Sequence, residues 1–302
     1  MLCNLCPRRC GAERTVNLGG GFCAMPAGIV AARAMLHHWE EPCLSGSRGA
    51  GCVFFTGCNL GCVYCQNGSI SRGGLGRVIS PVRLREIFEE LIAQGAHCID
   101  LVTPTHFTPW IAEALNEPLP VPVVWNSGGY ERAETLRALA GKVQVYLPDL
   151  KYAMPSLAGE LSRAEDYFEV ASAAIEEMYR QVGPYWMGED GLLRSGVIIR
   201  HMVLPGELEN TRRVIDYVAR RFAPGEVLFS LMSQYTPQSG LSGALSRRVT
   251  GAEYRAAVEY MRSCGITDGF VQEKSSAKEE YTPDLRQDCM IRLTLSCQPD
   301  RF

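Results

Sequence analysis

Between Gly51 and Ile266 the chain alternates short apolar runs with longer stretches whose apolar positions recur on one helical face. The runs are Cys52–Phe55, Cys98–Val102, Val121–Trp125, Val143–Leu147, Val197–Leu204 and Val227–Leu231. Each is rich in β-branched or aromatic residues and has the length of a buried strand. Leu84, Ile87, Phe88, Leu91 and Ile92 follow the i, i+3, i+4, i+7, i+8 spacing of a helix with one apolar face, and Gly95 stands where such a helix stops. Similar patterns predict helices over Glu131–Leu139, Ala164–Val182, Thr211–Phe222 and Ala252–Cys264, with a shorter one near Pro109. Ser80-Pro81 and Thr108-Pro109 each set a capping hydroxyl before a first-turn proline.

Strand and helix repeated six times require parallel pairing through right-handed crossovers. The expected fold class is therefore α/β, as a partial (β/α)6 TIM-like barrel rather than an open doubly wound sheet. In such barrels chemistry gathers where strands end. The polar clusters fall there: Thr103–His106, Asn126–Glu131, Asp149–Lys151, Arg200-His201 and Gln234-Tyr235. Residues 51–266 form the expected core, 1–50 a cysteine-rich N-terminal extension packing on it, and 267–302 a C-terminal extension.

Composition is ordinary for a globular protein, with 46% hydrophobic and 21% charged residues. A formal net charge of -3 supplies no basic field for nucleic acid. Neither a signal peptide nor the ~20 apolar residues of a membrane span is evident, so a cytoplasmic protein without membrane or nucleic-acid partners is expected. Thirteen cysteines change the picture. A reducing compartment keeps thiols free, and clustered thiols there hold metal or do chemistry. Two tight groups exist, Cys3/Cys6/Cys10/Cys23 and Cys58/Cys62/Cys65, while Cys43, Cys52, Cys98, Cys264, Cys289 and Cys297 are scattered. Of these, Cys98 is expected in the core.

The second group stands directly after the first predicted strand as Gly57-Cys58-Asn-Leu-Gly-Cys62-Val-Tyr64-Cys65-Gln-Asn67. Three thiolates hold three corners of a cubane and leave one iron open. Gly57 and Gly61 permit a tight wrap. Zinc is the plain alternative, but it wants a fourth protein ligand, and none is adjacent.

The C-x3-C-x2-C spacing, its place after the first strand and Tyr64 resemble the radical S-adenosylmethionine (SAM) superfamily. Further blocks resemble its pyruvate formate-lyase activating enzyme-like branch: Glu40–Cys43, Phe54–Asn59, Tyr64–Asn67, Val102–His106, Asn126–Glu131, Leu147–Tyr152 and Arg200–Pro205. The resemblance implies a 4Fe-4S cluster on Cys58, Cys62 and Cys65 whose open iron takes the amino and carboxylate groups of S-adenosylmethionine. It also implies that Tyr64, Asn126, Ser127, Asp149 and Lys151 hold that cofactor, and that Lys151 and His201 are candidates to act in the reaction. The plain readings are an exposed Asp149–Lys151 ion pair and a structural His201 or His106. Gln234 and Tyr235 are candidates to face substrate.

Cys3, Cys6, Cys10 and Cys23 supply four thiols within 21 residues, among glycines 11, 19, 20 and 21. Zinc and a second iron–sulfur cluster are both open readings, with a disordered arm as the third and Cys43 as an alternative ligand. Clustered activases carry their extra ligands after the radical motif, and no cysteine-rich insert follows Cys65. The implied activity is reductive cleavage of S-adenosylmethionine to a 5′-deoxyadenosyl radical for hydrogen abstraction. A flavodoxin or ferredoxin would donate the electron, and a glycyl radical enzyme would receive the radical. Modification of a small molecule or peptide, or a non-catalytic redox sensor, are the alternative functions.

Overall fold

The computed structural model describes residues 2–16, 19–72 and 74–272. The C-terminal extension beyond residue 272, with Cys289 and Cys297, lies outside the described residues. Among the described residues, ten strands form one mixed sheet: β1 (Ile29–His37), β2 (Ala50–Phe55), β3 (Arg77–Ile79), β4 (Ile99–Val102), β5 (Val123–Ser127), β6 (Val145–Pro148), β7 (Trp186–Met187), β8 (Leu193–Met202), β9 (Leu228–Met232) and β10 (Gly269–Val271). Their spatial order is β10-β9-β8-β6-β5-β4-β2-β1-β3, with β7 paired to β8. From β2 through β10 all neighbours on this path are parallel, whereas β1 is antiparallel to both β2 and β3. Because the parallel strands follow chain order without reversal, every crossover steps the same way along the sheet. Along these parallel strands the order has no reversal point of the kind that marks a doubly wound sheet.

The helices are α1 (Pro42–Ser45), α2 (Gly68–Ser71), α3 (Pro81–Ala93), α4 (Thr108–Ala114), α5 (Ala133–Leu136), α6 (Pro155–Ser162), α7 (Tyr167–Val182), α8 (Leu208–Arg221) and α9 (Gly251–Ser263). Successive strand residues point to opposite faces. Val53, Phe55, Ile99, Leu101, Trp125, Tyr146, Ile199 and Leu231 join Leu84, Ile87 and Phe88 of α3 in the larger core under the helices. Cys52, Phe54, Val102, Val124, Val145, Leu147, Ile198 and Leu228 form a separate inner cluster. Burial on both faces explains why these strands read as continuous apolar runs.

α3 starts as its sequence implies, with Ser80 Oγ accepting from the Arg83 amide at 3.1 Å, and Gly95 follows its end at φ 99°. Other boundaries differ. α4 begins at Thr108 itself, whose hydroxyl donates to the Thr105 carbonyl at 2.7 Å instead of capping. The helix expected from Ala164 starts at Tyr167, and α6 precedes it across Arg163, which turns left-handed at φ 52°. β1 falls within the N-terminal extension and was not foreseen. Its alanine-rich Ile-Val-Ala-Ala-Arg-Ala-Met-Leu-His sequence is half-buried over five central positions, so it lacks the apolar run of the parallel strands.

Candidate active site

The loop leaving β2 carries the three cysteines. Gly57 and Gly61 adopt φ 81° and 64°, a left-handed wrap that β-branched side chains resist. Cys62 is buried, and Cys58 and Cys65 are half-buried. Each sulfur has its own donor: the Leu60 amide to Cys58 at 3.3 Å, Ser162 Oγ to Cys62 at 3.0 Å and Ser71 Oγ to Cys65 at 3.5 Å. Ser162 Oγ also bonds Tyr152 Oη at 2.7 Å, which bonds Tyr64 Oη at 2.7 Å. The Tyr64 hydroxyl is thus linked back to Cys62 through a buried hydroxyl relay. A single zinc ion, with Zn–S bonds of ~2.3 Å, would draw its sulfurs to about 3.8 Å from one another. The three thiols are not all within 4.8 Å of one another. Three cysteines would hold three corners of a cubane and leave its fourth iron open.

All three cysteines line a cavity of about 750 Å³ beyond the carboxyl edge of the parallel strands. Asn126, Asp149, Lys151 and Arg200 line the same cavity, from the ends of β5, β6 and β8. Lys151 Nζ donates to Asp149 Oδ2 at 2.5 Å, and Arg200 Nε to Asp149 Oδ1 at 3.0 Å. The guanidinium also donates to Asn126 Oδ1 at 2.5 Å and to Glu40 Oε2 at 3.4 Å. Burial alone would raise the Asp149 carboxyl, but Lys151 and Arg200 outweigh it and hold the group below its usual range. Burial likewise opposes the charge on Lys151 and on Arg200, yet Asp149 and the nearby acids keep both above their ordinary values. Asp149 and Lys151 are only 15% and 20% exposed, so the reading as an exposed surface pair does not hold.

A third group, Glu40, Glu41 and Asp100, received no role from the sequence. Glu40 and Glu41 enter between β1 and α1 and line the cavity, as do Trp39 and His38. Asp100 is fully buried on the inner side of β4, where its Oδ2 accepts from Asn126 Nδ2 at 3.1 Å and Cys52 Sγ at 3.4 Å. Burial pushes all three carboxyls up. Glu41 Oε2 and Asp100 Oδ1 are buried without a hydrogen-bond partner. The available signal for Glu40 and Glu41 was their adjacency in Glu40-Glu-Pro-Cys43; for Asp100 it was a lone acid within an apolar strand.

Strand alternation also separates the candidates. Arg200 and Met202 face the cavity, whereas His201 between them faces the helices. Its Nδ1 lies 2.7 Å from the Leu150 carbonyl and its Nε2 3.0 Å from Thr211 Oγ1. Burial lowers this imidazole to about 4, and it does not line the cavity. His106 is similar, with Nε2 2.7 Å from the Thr56 carbonyl. Ser127 lines the cavity and accepts from the Gly129 amide at 3.2 Å. Gln234 lines the cavity, but Tyr235 is buried, stacking obliquely on Tyr64 and donating to the Leu245 carbonyl at 2.7 Å. Cys98 and Cys43 are both in the inner apolar cluster, Cys98 as expected. Cys3, Cys6, Cys10 and Cys23 lie outside the cavity wall.

Residues 52–218 match the family model described as the Radical SAM superfamily. The uncharacterized protein MJ0674 of Methanocaldococcus jannaschii is 28% identical over 269 residues, spanning 85% of this chain and 73% of that protein. Among solved structures, Streptococcus suis SuiB bound to S-adenosylmethionine superposes with a TM-score of 0.50 at 16% identity, covering 74% of this chain. The chain spans about half (51%) of SuiB's own length, so this likeness concerns the fold. A domain of pyruvate-formate lyase-activating enzyme from Bacteroides vulgatus reaches a TM-score of 0.35 at 12% identity, covering 64% of this chain and 91% of that domain, too little to argue a branch. No helix among the described residues is long and apolar enough to cross a membrane. Cysteine loop, strand-end cavity and family match converge: this chain belongs to the radical SAM superfamily.

Proposed function

We propose that Cys58, Cys62 and Cys65 hold a 4Fe-4S cluster, that the adjoining cavity holds S-adenosylmethionine, and that the chain activates a partner protein in the manner of a glycyl-radical-enzyme activase. When bound and reduced, the cluster supplies the electron that splits S-adenosylmethionine into methionine and a 5′-deoxyadenosyl radical, which removes hydrogen from the target. The protein's own contribution is positioning and shielding. The observation that carries this reading is one cavity lined by three thiols together with Asn126, Asp149, Lys151 and Arg200.

Lys151 offers its ammonium to the cofactor's carboxylate, and Asp149 offers a carboxylate to its ammonium or a ribose hydroxyl. Asn126 and Ser127 supply neutral polar contacts at the end of β5, and Tyr64 closes the wall beside the cysteines. Chain-order winding of the strands supports a partial barrel of six βα units around this cavity. The activase-like branch is supported by the ordered sequence blocks from Glu40–Cys43 to Arg200–Pro205. A flavodoxin or ferredoxin is the proposed electron donor.

The test is anaerobic reconstitution followed by reduction, with 5′-deoxyadenosine and methionine measured by chromatography. Replacing Cys58, Cys62 or Cys65 with Ala should abolish cleavage; turnover retained in all three variants overturns the radical reading. A glycyl radical detected by electron paramagnetic resonance on a co-purifying large enzyme supports the activase reading. Deuterium transfer to a small molecule instead would refute it.

A further inference from the structure

The N-terminal cysteines are unused by the site above, and their surroundings are unusual. The chain doubles back so that the Cys3 amide donates to the Ala12 carbonyl at 2.9 Å and the Gly11 amide to the Cys3 carbonyl at 3.2 Å. A second turn, closed by Ala24 N to Gly21 O at 3.3 Å, presents Cys23. The turns meet at the thiols: a Cβ added to Gly21 would stand 2.4 Å from Cys10 Sγ. Arg9 and Ala24, which flank Cys10 and Cys23, both hold left-handed backbones at φ 42° and 55°, a conformation costly for residues with a side chain. The Arg9 amide donates to the Cys6 carbonyl at 3.1 Å, so Cys6 and Cys10 share one turn. Arg14, buried at 4% exposure, aims Nη1 at Cys3 Sγ from 3.5 Å, a cation behind a group of potential thiolates.

A single zinc ion would need all four sulfurs drawn together. No three of them lie within 4.8 Å of one another, whereas a zinc tetrahedron requires about 3.8 Å between every pair.

This module is also seated directly on the back of the catalytic loop. Arg8, between Cys6 and Cys10, donates to the Asn59 carbonyl at 2.8 Å and the Leu60 carbonyl at 3.3 Å. It reaches the Ser162 carbonyl at 2.7 Å, and its guanidinium lies 3.9 Å from the Phe22 ring centroid. A Cβ on Gly57 would meet Met25 Cγ at 2.5 Å and the Cys23 carbonyl at 3.1 Å. A Cβ on Gly61 would meet the Phe22 ring at 3.2 Å. The two glycines that wrap the catalytic loop therefore also admit the N-terminal module against it.

We propose that Cys3, Cys6, Cys10 and Cys23 ligate a second four-iron cluster, packed against the back of the loop that carries Cys58, Cys62 and Cys65. Four thiolates complete its ligation, so unlike the catalytic site it has no iron open to S-adenosylmethionine.

The experiment uses the full chain with Cys58, Cys62 and Cys65 all replaced by Ala, purified and reconstituted without air. Expected are about four irons and four sulfides per chain, and a reduced-state paramagnetic signal unaltered by S-adenosylmethionine. About one zinc without sulfide, or neither metal in a chain that circular dichroism shows folded, overturns the proposal. A signal that S-adenosylmethionine changes also overturns it. If the triple variant does not fold, Cys10→Ser/Cys23→Ser is compared with the wild type, in which about eight irons should fall to about four. Unchanged iron in that folded variant overturns the assignment.

Discussion

Arg200 joins three segments that meet nowhere else in sequence, and its removal gives the sharpest test of the site's electrostatics. In Arg200→Met, Asp149 retains Lys151, 2.5 Å away on its other oxygen. Glu40 loses its ion pair, and Asn126 Oδ1 loses its 2.5 Å donor. Breaking a buried pair by removing one partner costs about 3–5 kcal/mol, most of it from the charge left behind. Because Lys151 still answers Asp149, the lower end, about 3 kcal/mol, is expected above neutral pH. The penalty should shrink as pH falls, since burial already raises the Glu40 carboxyl and an orphaned Glu40 escapes the cost by taking a proton. The assay is urea unfolding of wild type, Arg200→Met, Glu40→Gln and the double variant at pH 8 and pH 5.5, analysed as a mutant cycle. The double variant should recover about 1 kcal/mol or more relative to summed single losses. Additive single losses, or a penalty independent of pH, would refute the assignment of Arg200 as the counter-ion of Asp149 and Glu40.

Three further outcomes follow from the same geometry. Lys151→Ala should weaken S-adenosylmethionine binding, measured by equilibrium dialysis on reconstituted protein, by about tenfold or more, from loss of a charge-assisted hydrogen bond worth roughly 1.5–3 kcal/mol; unchanged affinity in a folded variant would leave Lys151 as Asp149's partner alone. His201→Asn should lower stability by about 1–3 kcal/mol through its Leu150 and Thr211 contacts while leaving cofactor affinity unchanged, and the reverse pattern would return His201 to the reaction. Glu131, buried and accepting from Trp125 Nε1 at 2.9 Å and Thr105 Oγ1 at 2.5 Å, has its carboxyl pushed by burial from 4.5 to about 7. A carboxyl with a raised folded pKa holds its proton in the folded state, so its contribution is full at low pH and lost as pH rises from about 4.5 to 7, amounting to about 3 kcal/mol. Glu131→Gln should flatten that part of the stability profile in urea titrations, and an unaltered slope would refute the assignment.

The sequence by itself determined the six buried parallel strands and the cysteine loop. Strands covered on both faces must be continuously apolar, and three thiols confined to eight residues must share one loop whatever the rest of the chain does. It also set Ser80 and Gly95 at the ends of α3, because caps act through neighbouring backbone groups. Tertiary structure alone decided which polar residues share the cavity. Arg200 and His201 look equivalent in a string, but the pleat sends one to Asp149 and Asn126 and the other to Thr211 beneath a helix. Glu40 reaches Arg200 across 160 positions, a contact set by the antiparallel docking of β1 on β2. β1 was hidden because five of its nine residues are only half-buried, so it needs no continuous apolar run. In the same way, Arg8 meets Asn59 and Leu60 only because the turns around the N-terminal cysteines fold onto the catalytic loop. Local chemistry is written in spacing, whereas long-range pairing of charges depends on which strand edges become neighbours.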